Sequence, residues 1–441
     1  MAPHSQLQAP KTVVEIARRL EGAGFETWCV GGAVRDALLG HPHLDWDLAT
    51  AATPADVRRL FKRTVPVGIE FGTVGVLDDA GVMHEVTTFR RDVQTDGRHA
   101  VVEFGASLDD DLARRDFTIN AIAYSPTRDT LHDPFGGRAD IDRAIVRAVG
   151  DAAERMREDR LRALRAIRFA SRFGFAIDGD TWKAVRASSP HLGRLSPERV
   201  KQELEKTMQQ VDRPGQAMAL WRDSGALATL IPELADISDR TLRMLDALPR
   251  ARGKADDART RDRLTALFTD LSPRDAARVL RKLRFSNQQV AWAESVLRPW
   301  AVLHEPMLAA LAQRDRVSDP QLRAWAAEIG RVRVRYVFRL LAAERSAREA
   351  LGERMPPVSA LASLYRRLTR SAFRDALELG DLAVSGDELR AAGIAAGPEL
   401  GRILRELLAR VIADPSLNTP DALLSLARSL HSGQEPFIAG R

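Results

Sequence analysis

Asp45 and Asp47 stand two residues apart in "HLDWDLA", with Leu44, Trp46 and Leu48 at the alternate positions. On a strand, side chains two apart share a face, so the pattern sets two carboxylates side by side. Held that close they repel each other unless a cation lies between them. Hard oxygen ligands suit Mg²⁺, which also binds nucleotide phosphates. Two such ions can activate an attacking hydroxyl and steady a leaving pyrophosphate. A dozen residues upstream, "TWCV" reads as a strand, Gly31-Gly32 as a turn and "AVRDALLG" as a helix. Glycines there let a triphosphate approach the backbone, and the N–H groups at the helix start point at the anion. Arg35, one turn in, adds a charge-assisted contact. Singly, a Gly-Gly pair is an ordinary hinge and an Asp-x-Asp a solvated strand face. Their closeness and order point to nucleotidyl transfer. Glu85 in "HEVTTFR" is the candidate third carboxylate from a neighbouring strand, and it reads equally as an exposed strand glutamate.

Two further stretches carry paired polar groups. In "ARRDFTINAIAY" the polar positions are Arg114, Arg115, Asp116 and Asn120. Asp116 and Asn120 are one helical turn apart and can face one ligand, such as a ribose hydroxyl. Arg115 can grip phosphate, while Asp116 fits a helix cap just as well. In "EDRLRALRAIRF", read as one helix, Asp159, Arg162, Arg165 and Arg168 fall at steps of three and form a slowly drifting stripe. A guanidinium and a carboxylate offer complementary donors and acceptors to the Watson–Crick edge of a base, so a nucleotide could be selected without a template. The same spacing also describes a solvated salt-bridge face. "DPFGGRAD" is a tight turn rich in proline and glycine, read as architectural and as a hinge between head and body.

These groups need elements to hold them. Up to Gly150 strands and helices mix. "KTVVEIARRLEGAG" has helical period, "FETWCV" is a short strand, and "GTVGVLD" and "HEVTTFR" form an antiparallel pair joined by "DAG". After Asp151 strand signals almost vanish. "SPERVKQELEKTMQQ" opens with Ser196 as N-cap and Pro197 at the first helical position, and helix follows helix. Linkers are expected near 248–260 and 353–360, and "HSGQEPFIAGR" as a loose tail. At 441 residues the chain exceeds one ordinary core. Hydrophobic content of 45% and charged content of 29% fit a globular protein. No apolar run is long enough to span a bilayer, and the first residues lack a secretory signal pattern, so a cytoplasmic location is expected. The single cysteine, Cys29, rules out an internal disulfide and a cysteine-based zinc site. A net charge of +6, with arginine far outnumbering lysine, permits a polyanionic partner and also fits arginine-biased codons.

Five blocks, "GGAVRD" with "DWD", "RRDFTINAIAY", "DPFGG", "EDRLRALRAIRF" and "SPERVKQEL", appear in that order between Trp28 and Met208. With them the chain resembles the class II tRNA nucleotidyltransferases, the CCA-adding enzymes, and their relatives the bacterial poly(A) polymerases. The resemblance implies an α+β head of polymerase-β-like nucleotidyltransferase type followed by an extended all-α body. The implied divisions are a head at 1–150, a neck with the nucleotide-selecting site at 151–212, a body at 213–350 and a tRNA-binding tail at 351–441. It implies Asp45 and Asp47 as ligands of catalytic Mg²⁺ and Gly31, Gly32 and Arg35 on the triphosphate. Arg115, Asp116 and Asn120 join Asp159, Arg162, Arg165 and Arg168 as nucleotide-binding positions, with Asp159 and Arg162 reading the base. The implied reaction transfers CMP and AMP from CTP and ATP to the tRNA 3′ end. No membrane or protein partner is expected. The alternatives are CC-adding or A-adding enzymes, a poly(A) polymerase, and a non-catalytic RNA-binding protein. "RLTALFTDLSPRDAARVLRKLRFSN" looks like the core of a His-Asp phosphohydrolase domain whose His-Asp pair reads Thr269-Asp270 here, so no phosphohydrolase activity is expected. The stretch "RRDVQTDGRHAVVEF" lacks the tyrosine and proline that family members often carry there, while Arg90, Arg91 and Arg98 remain.

Overall fold

A computed structural model describes residues 7–41, 45–95, 100–249, 257–312 and 317–432. Leu44, Arg98, the middle of the 248–260 linker and the end of the C-terminal tail lie outside the described residues. Packing divides the chain into two compact units, 1–236 and 237–441.

The first unit is built on a mixed sheet. Its strands are β1 (Thr27–Val30), β2 (Asp47–Thr50), β3 (Thr64–Gly68), β4 (Thr73–Leu77), β5 (Met83–Thr88), β8 (Ala123–Ser125) and β9 (Thr130–His132), in spatial order β3-β4-β5-β2-β1-β8-β9. β6 (Arg90–Thr95) and β7 (Ala100–Phe104) form a separate antiparallel hairpin. Every neighbouring pair in the large sheet is antiparallel except β2 and β5, which run parallel with Leu48 opposite Val86. The helices of this unit are α1 (Lys11–Gly22), α2 (Gly32–Leu38), α3 (Pro54–Leu60), α4 (Leu108–Ala113), α5 (Gly137–Asp142), α6 (Ala152–Glu158), α7 (Leu161–Phe173), α8 (Gly179–Ser188), α9 (Pro197–Gln210), α10 (Pro214–Ser224) and α11 (Ala226–Leu230).

The alternation around Asp45 and Asp47 is realised as expected: Trp46 and Leu48 are buried while both aspartates are exposed. Trp46 and Leu48 pack with Val13, Leu20, Val34 and Val86 in one core beneath the sheet. Burying two such side chains contributes about 1.5–3 kcal/mol each, which fixes the strand's facing and with it the direction of the carboxylates. Cys29, in β1, is wholly buried in the same core; burial, with Asp47 nearby, raises its thiol pKa far above the usual value.

Three expectations need correction. "ARRDFTINAIAY" is not one helix. α4 ends at Ala113, a single 3₁₀ turn covers Thr118–Asn120, and β8 follows. Thr118 and Ile119 are β-branched and Phe117 is aromatic, types that favour extended backbone, and Phe117 pairs with Ala148 as an isolated bridge. "EDRLRALRAIRF" is not one helix either. Asp159 is extended (φ −143°, ψ 106°) and separates α6 from α7. Its carboxylate accepts the Leu161 N–H at 3.0 Å, so it starts the second helix in place of continuing the first. "DPFGG" is packed hard, unlike a hinge. Asp133 accepts the N–H groups of Gly137 (2.7 Å) and Arg138 (2.9 Å). A Cβ on Gly137 would lie 2.2 Å from the Thr118 carbonyl oxygen.

The second unit is helical. It comprises α12 (Asp239–Ala247), α13 (Asp257–Leu267), α14 (Pro273–Lys282), α15 (Asn287–Ala312), α16 (Asp319–Ile329), α17 (Val334–Ala350), α18 (Val358–Arg374), α19 (Gly386–Ala391), α20 (Pro398–Ala413) and α21 (Pro420–His431). Thr269-Asp270 lies just past α13. The Asp270 carboxylate accepts from Ser238 (2.8 Å) and pairs with Arg240 (3.2 Å). Among the described residues, His304, Glu305 and Glu344 bring three metal-type ligand atoms within 4.8 Å of one another. Arg348 and Arg240 already neutralise the two carboxylates. No helix among the described residues is long and apolar enough to cross a membrane.

Candidate active site

A cleft of about 430 Å³ in the first unit gathers most of the residues singled out above. Gly31, Gly32, Arg35, Asp47, Arg115, Asp116, Asn120, Asp159, Arg162 and Arg165 line it, with Arg114 and Phe169. Gly31 adopts φ +78°, a left-handed conformation that disfavours any side chain, and its Cβ would also sit 3.0 Å from Arg115 Nη1. The Gly-Gly turn thus lets the end of β1, the start of α2 and Arg115 crowd together.

The polar groups form a connected network. Arg35 is buried, donates to Asp36 (2.8 and 2.6 Å) and reaches the Asn120 side-chain oxygen. Burial lowers its pKa, opposed by Asp36. Its guanidinium also lies over the stacked rings of Phe169 and Phe173, 5.0 and 4.8 Å from their centroids. Asn120 donates to Asp116 at 2.8 Å, and Arg165 donates to the other Asp116 oxygen at 2.7 Å. Burial alone would raise the Asp116 carboxyl. Arg165, Asn120 and Arg162 outweigh it and hold the group below the usual carboxylate range. Asp111, buried on α4, is likewise held low against its burial by Arg115 and Arg114, and it accepts from both, at 3.1 and 2.7 Å.

Asp159 and Arg162 are both anchored. Arg199 donates to Asp159 Oδ2 at 2.7 Å. Arg162 donates to Glu158 (2.5 Å) and to the carbonyls of Arg155 (3.0 Å) and Arg114 (2.8 Å). Each still has hydrogen-bonding capacity, because a carboxylate offers about four lone-pair sites and a guanidinium five N–H donors.

Asp45 and Glu85 are exposed and do not line the cleft. The parallel register of β2 and β5, carried back one residue from Leu48–Val86, sets Glu85 beside Asp47 on the same sheet face. Arg168 takes a different direction from Arg162 and Arg165. It is buried on the side of α7 that packs against α9, donating to Glu203 (2.6 Å) and Gln210 (3.3 Å). The stripe at steps of three drifts by about 60° per step, and by Arg168 it has turned into the packed helix face.

Sequence reasoning did not single out Arg199, Glu158, Asp111 or Phe169 as parts of the site. Arg199 did lie in the quoted block "SPERVKQEL", where Ser196 is the N-cap residue without a side-chain cap bond.

A family model described as the poly A polymerase head domain matches residues 27–147, and one described as a probable RNA and SrmB-binding site of polymerase A matches 174–238. The chain is 36% identical to a CCA-adding enzyme of Latilactobacillus sakei over 94% of this chain and 96% of that one. It is 34% identical to a CCA-adding enzyme of Streptococcus mutans, over 96% and 97%. Among solved structures it is similar to the Bacillus stearothermophilus CCA-adding enzyme in complex with CTP, with TM-score 0.69 and 32% identity over 96% of this chain and 98% of that one. The Thermotoga maritima CCA-adding enzyme complexed with tRNA shares the fold at TM-score 0.64 and 20% identity, over 96% and 97%.

Proposed function

The chain belongs to the CCA-adding enzymes, a family of tRNA nucleotidyltransferases, and from that premise we propose that its cleft transfers CMP and then AMP to the 3′ end of a tRNA. The observation that carries this reading is the single cleft joining Gly31, Gly32, Arg35 and Asp47 to Asp159 and Arg162. Triphosphate-binding and base-reading groups would serve one bound nucleotide. The tRNA 3′-hydroxyl oxygen attacks the α-phosphorus in line, the bond to the β-phosphate oxygen breaks, and pyrophosphate leaves.

Arg35 and Arg115 would hold the triphosphate beside the Gly31–Gly32 turn. Asp116 and Asn120, fixed by Arg165 and Arg35, would meet the ribose. Cytosine and adenine both present an exocyclic amine donor beside a ring-nitrogen acceptor. Asp159 as acceptor and Arg162 as donor match that pattern for both bases. Guanine and uracil present a carbonyl where the amine would be, so the accepting oxygen of Asp159 would face another acceptor. The anchors on Arg199 and Glu158 support this role, since a preorganised pair loses little freedom on binding. Arg168, bonded to Glu203, would support α7 from behind.

Asp45, Asp47 and Glu85 fit Mg²⁺: all three are exposed carboxylates, and Asp47 and Glu85 share a face on adjacent strands. Asp45 and Asp47 would hold the metal, which when bound supplies charge neutralisation at the phosphates and a more acidic hydroxyl nucleophile.

The test uses purified protein, Mg²⁺ and a tRNA transcript lacking its last three nucleotides, with product length read on a sequencing gel. Two additions with CTP alone and a third only when ATP is present are expected. A stop after two with both nucleotides present would replace the reading with CC addition. A long ladder with ATP alone would replace it with poly(A) synthesis.

A further inference from the structure

We infer that the cleft between α17 and α18 binds a small amphiphilic anion free in solution, its apolar body seated between the helices and its charged head on Arg335 and Arg339. The inference is independent of the proposed nucleotidyl transfer, and the cleft lies wholly within the second unit. It measures about 360 Å³, a volume ordinary for small-molecule sites. Two helix stripes build it. Arg335, Phe338, Arg339 and Ala342 stand at i, i+3, i+4 and i+7 on α17. Val358, Leu361, Ala362 and Tyr365 repeat that spacing on α18. Residues so spaced share one face of a helix, and each stripe runs about 10 Å at a rise of about 1.5 Å per residue.

Three features suit such a ligand. First, the cleft is apolar where the helices meet. Phe338 and Leu361 line it and are buried. Ala342 and Ala362 contribute only a methyl group each, so space that larger side chains would fill stays open. Second, apolar groups stand in water at its rim. Val358 is 62% exposed and Tyr365 36%, with the Tyr365 ring 5.2 Å from that of Phe338. An apolar body in the cleft would take both out of water. Third, positive charge beside the cleft exceeds negative. The guanidinium groups of Arg261, Arg335 and Arg339 surround the Tyr336 ring, 5.8, 5.1 and 5.7 Å from its centroid. Asp262 feels the charge of all three. Among the described residues it is the carboxylate that pairs with any of them, and it pairs with Arg339 at 2.6 Å. Arg335 and Arg339 are like charges at i, i+4, a spacing that weakens a helix, and an anion at the cleft relieves that repulsion. Exposed arginines without an ion pair also occur at Arg243, Arg405 and Arg428; Arg335 differs in bordering an apolar cleft.

The two stripes divide the work. Arg339 keeps donors beyond the one given to Asp262, because a guanidinium carries five N–H groups. A carboxylate, sulfonate or phosphate head accepts charge-assisted bonds from such groups. The α18 stripe carries no charge at all, so it favours the hydrocarbon part. A ligand charged at one end and apolar at the other matches both walls at once.

The test titrates the full-length chain with two fluorescent probes. Anilinonaphthalene sulfonate is an aromatic body with one sulfonate, and phenylnaphthylamine is the same body without the charge. Wild type should bind the sulfonate probe at one site and the neutral probe more weakly. Arg335→Gln should weaken the sulfonate probe by about tenfold and change the neutral probe by less than about twofold. Ala362→Phe fills the cleft and should weaken both by at least about tenfold. Ser363→Phe, one position along α18 and outside the cleft, should alter neither. Positions 335, 362 and 363 are all exposed, so melting curves of the variants should match wild type. A sulfonate probe bound as tightly by Ala362→Phe as by wild type would overturn the inference, as would a wild type that does not bind it. So would equal losses of both probes in Arg335→Gln, which would leave the charged head without a contact. Displacement of the probe from wild type by stoichiometric tRNA lacking CCA would overturn it too, because the cleft would then be an RNA contact.

Discussion

Arg168 decides whether position in a motif or direction in the fold governs what a residue does. Its side chain is 4% exposed and that of its partner Glu203 1% exposed, at 2.6 Å. Arg168→Ala removes one half of a buried ion pair and leaves Glu203 with a longer contact to Lys206, 3.9 Å away, and the more distant charge of Arg165. Breaking such a pair costs about 3–5 kcal/mol, because the remaining charge is uncompensated. Spread over a unit of this size, each kcal/mol lowers Tm by roughly 2–4 °C, so a drop of roughly 6–20 °C is expected. Replacing both partners, Arg168→Met with Glu203→Leu, should recover most of that loss, since two apolar groups of similar volume leave no orphan charge. The assay is a thermal melt and a urea titration on wild type, Arg168→Ala and the double variant, with steady-state kinetics for CTP and ATP at a temperature where all three are folded. The reasoning predicts a stability loss with KM for nucleotide little changed. Arg168→Ala with an unaltered Tm and a KM raised tenfold or more would refute it, and would return Arg168 to the nucleotide.

Asp47→Ala, and separately Asp45→Ala, should lower turnover by at least about a thousandfold while tRNA affinity in a filter-binding assay stays within twofold. Gly137→Ala should destabilise by about 1–3 kcal/mol or more, because its Cβ would meet the Thr118 carbonyl oxygen at 2.2 Å; a urea midpoint equal to wild type would contradict that packing. Asp116 has a folded-state pKa below its unfolded value. Its contribution to stability is therefore present above about pH 4 and is lost as pH falls through the folded value. Asp116→Asn should show a flatter stability–pH curve below about pH 4, read from urea midpoints. A curve parallel to wild type there would mean that Arg165 and Asn120 do not hold the charged form.

The sheet strands and the turn were readable because local chemistry alone dictates them. Asp45 and Asp47 face out because Trp46 and Leu48 must be buried, and Gly31 is required where φ is positive. Asp159 misled for an equally local reason. Its carboxylate can start a helix as readily as ride on one, and the accepted Leu161 N–H settled the choice. Arg168 was illegible because its direction depends on α9, thirty-five residues further along, and on the buried Glu203. The "DPFGG" turn looked free to bend because composition cannot reveal that Gly137 lies against the Thr118 carbonyl. Packing groups α6 to α11 with the sheet in one unit to Asp236, while the head-domain family model ends at residue 147.

Cys29 offers a practical opening. It is the sole thiol in the chain, it is sealed inside the sheet, and its proton is held far more tightly than usual. Only a thiolate reacts readily with maleimides or iodoacetamides, so Cys29 in the native protein is expected to react with neither. Any surface position changed to cysteine becomes a unique chemical handle with no background. A dye at Glu70, in the turn between β3 and β4, would report from the end of the sheet where Gly72 accepts the Thr88 N–H. The experiment requires no engineered cysteine-free background.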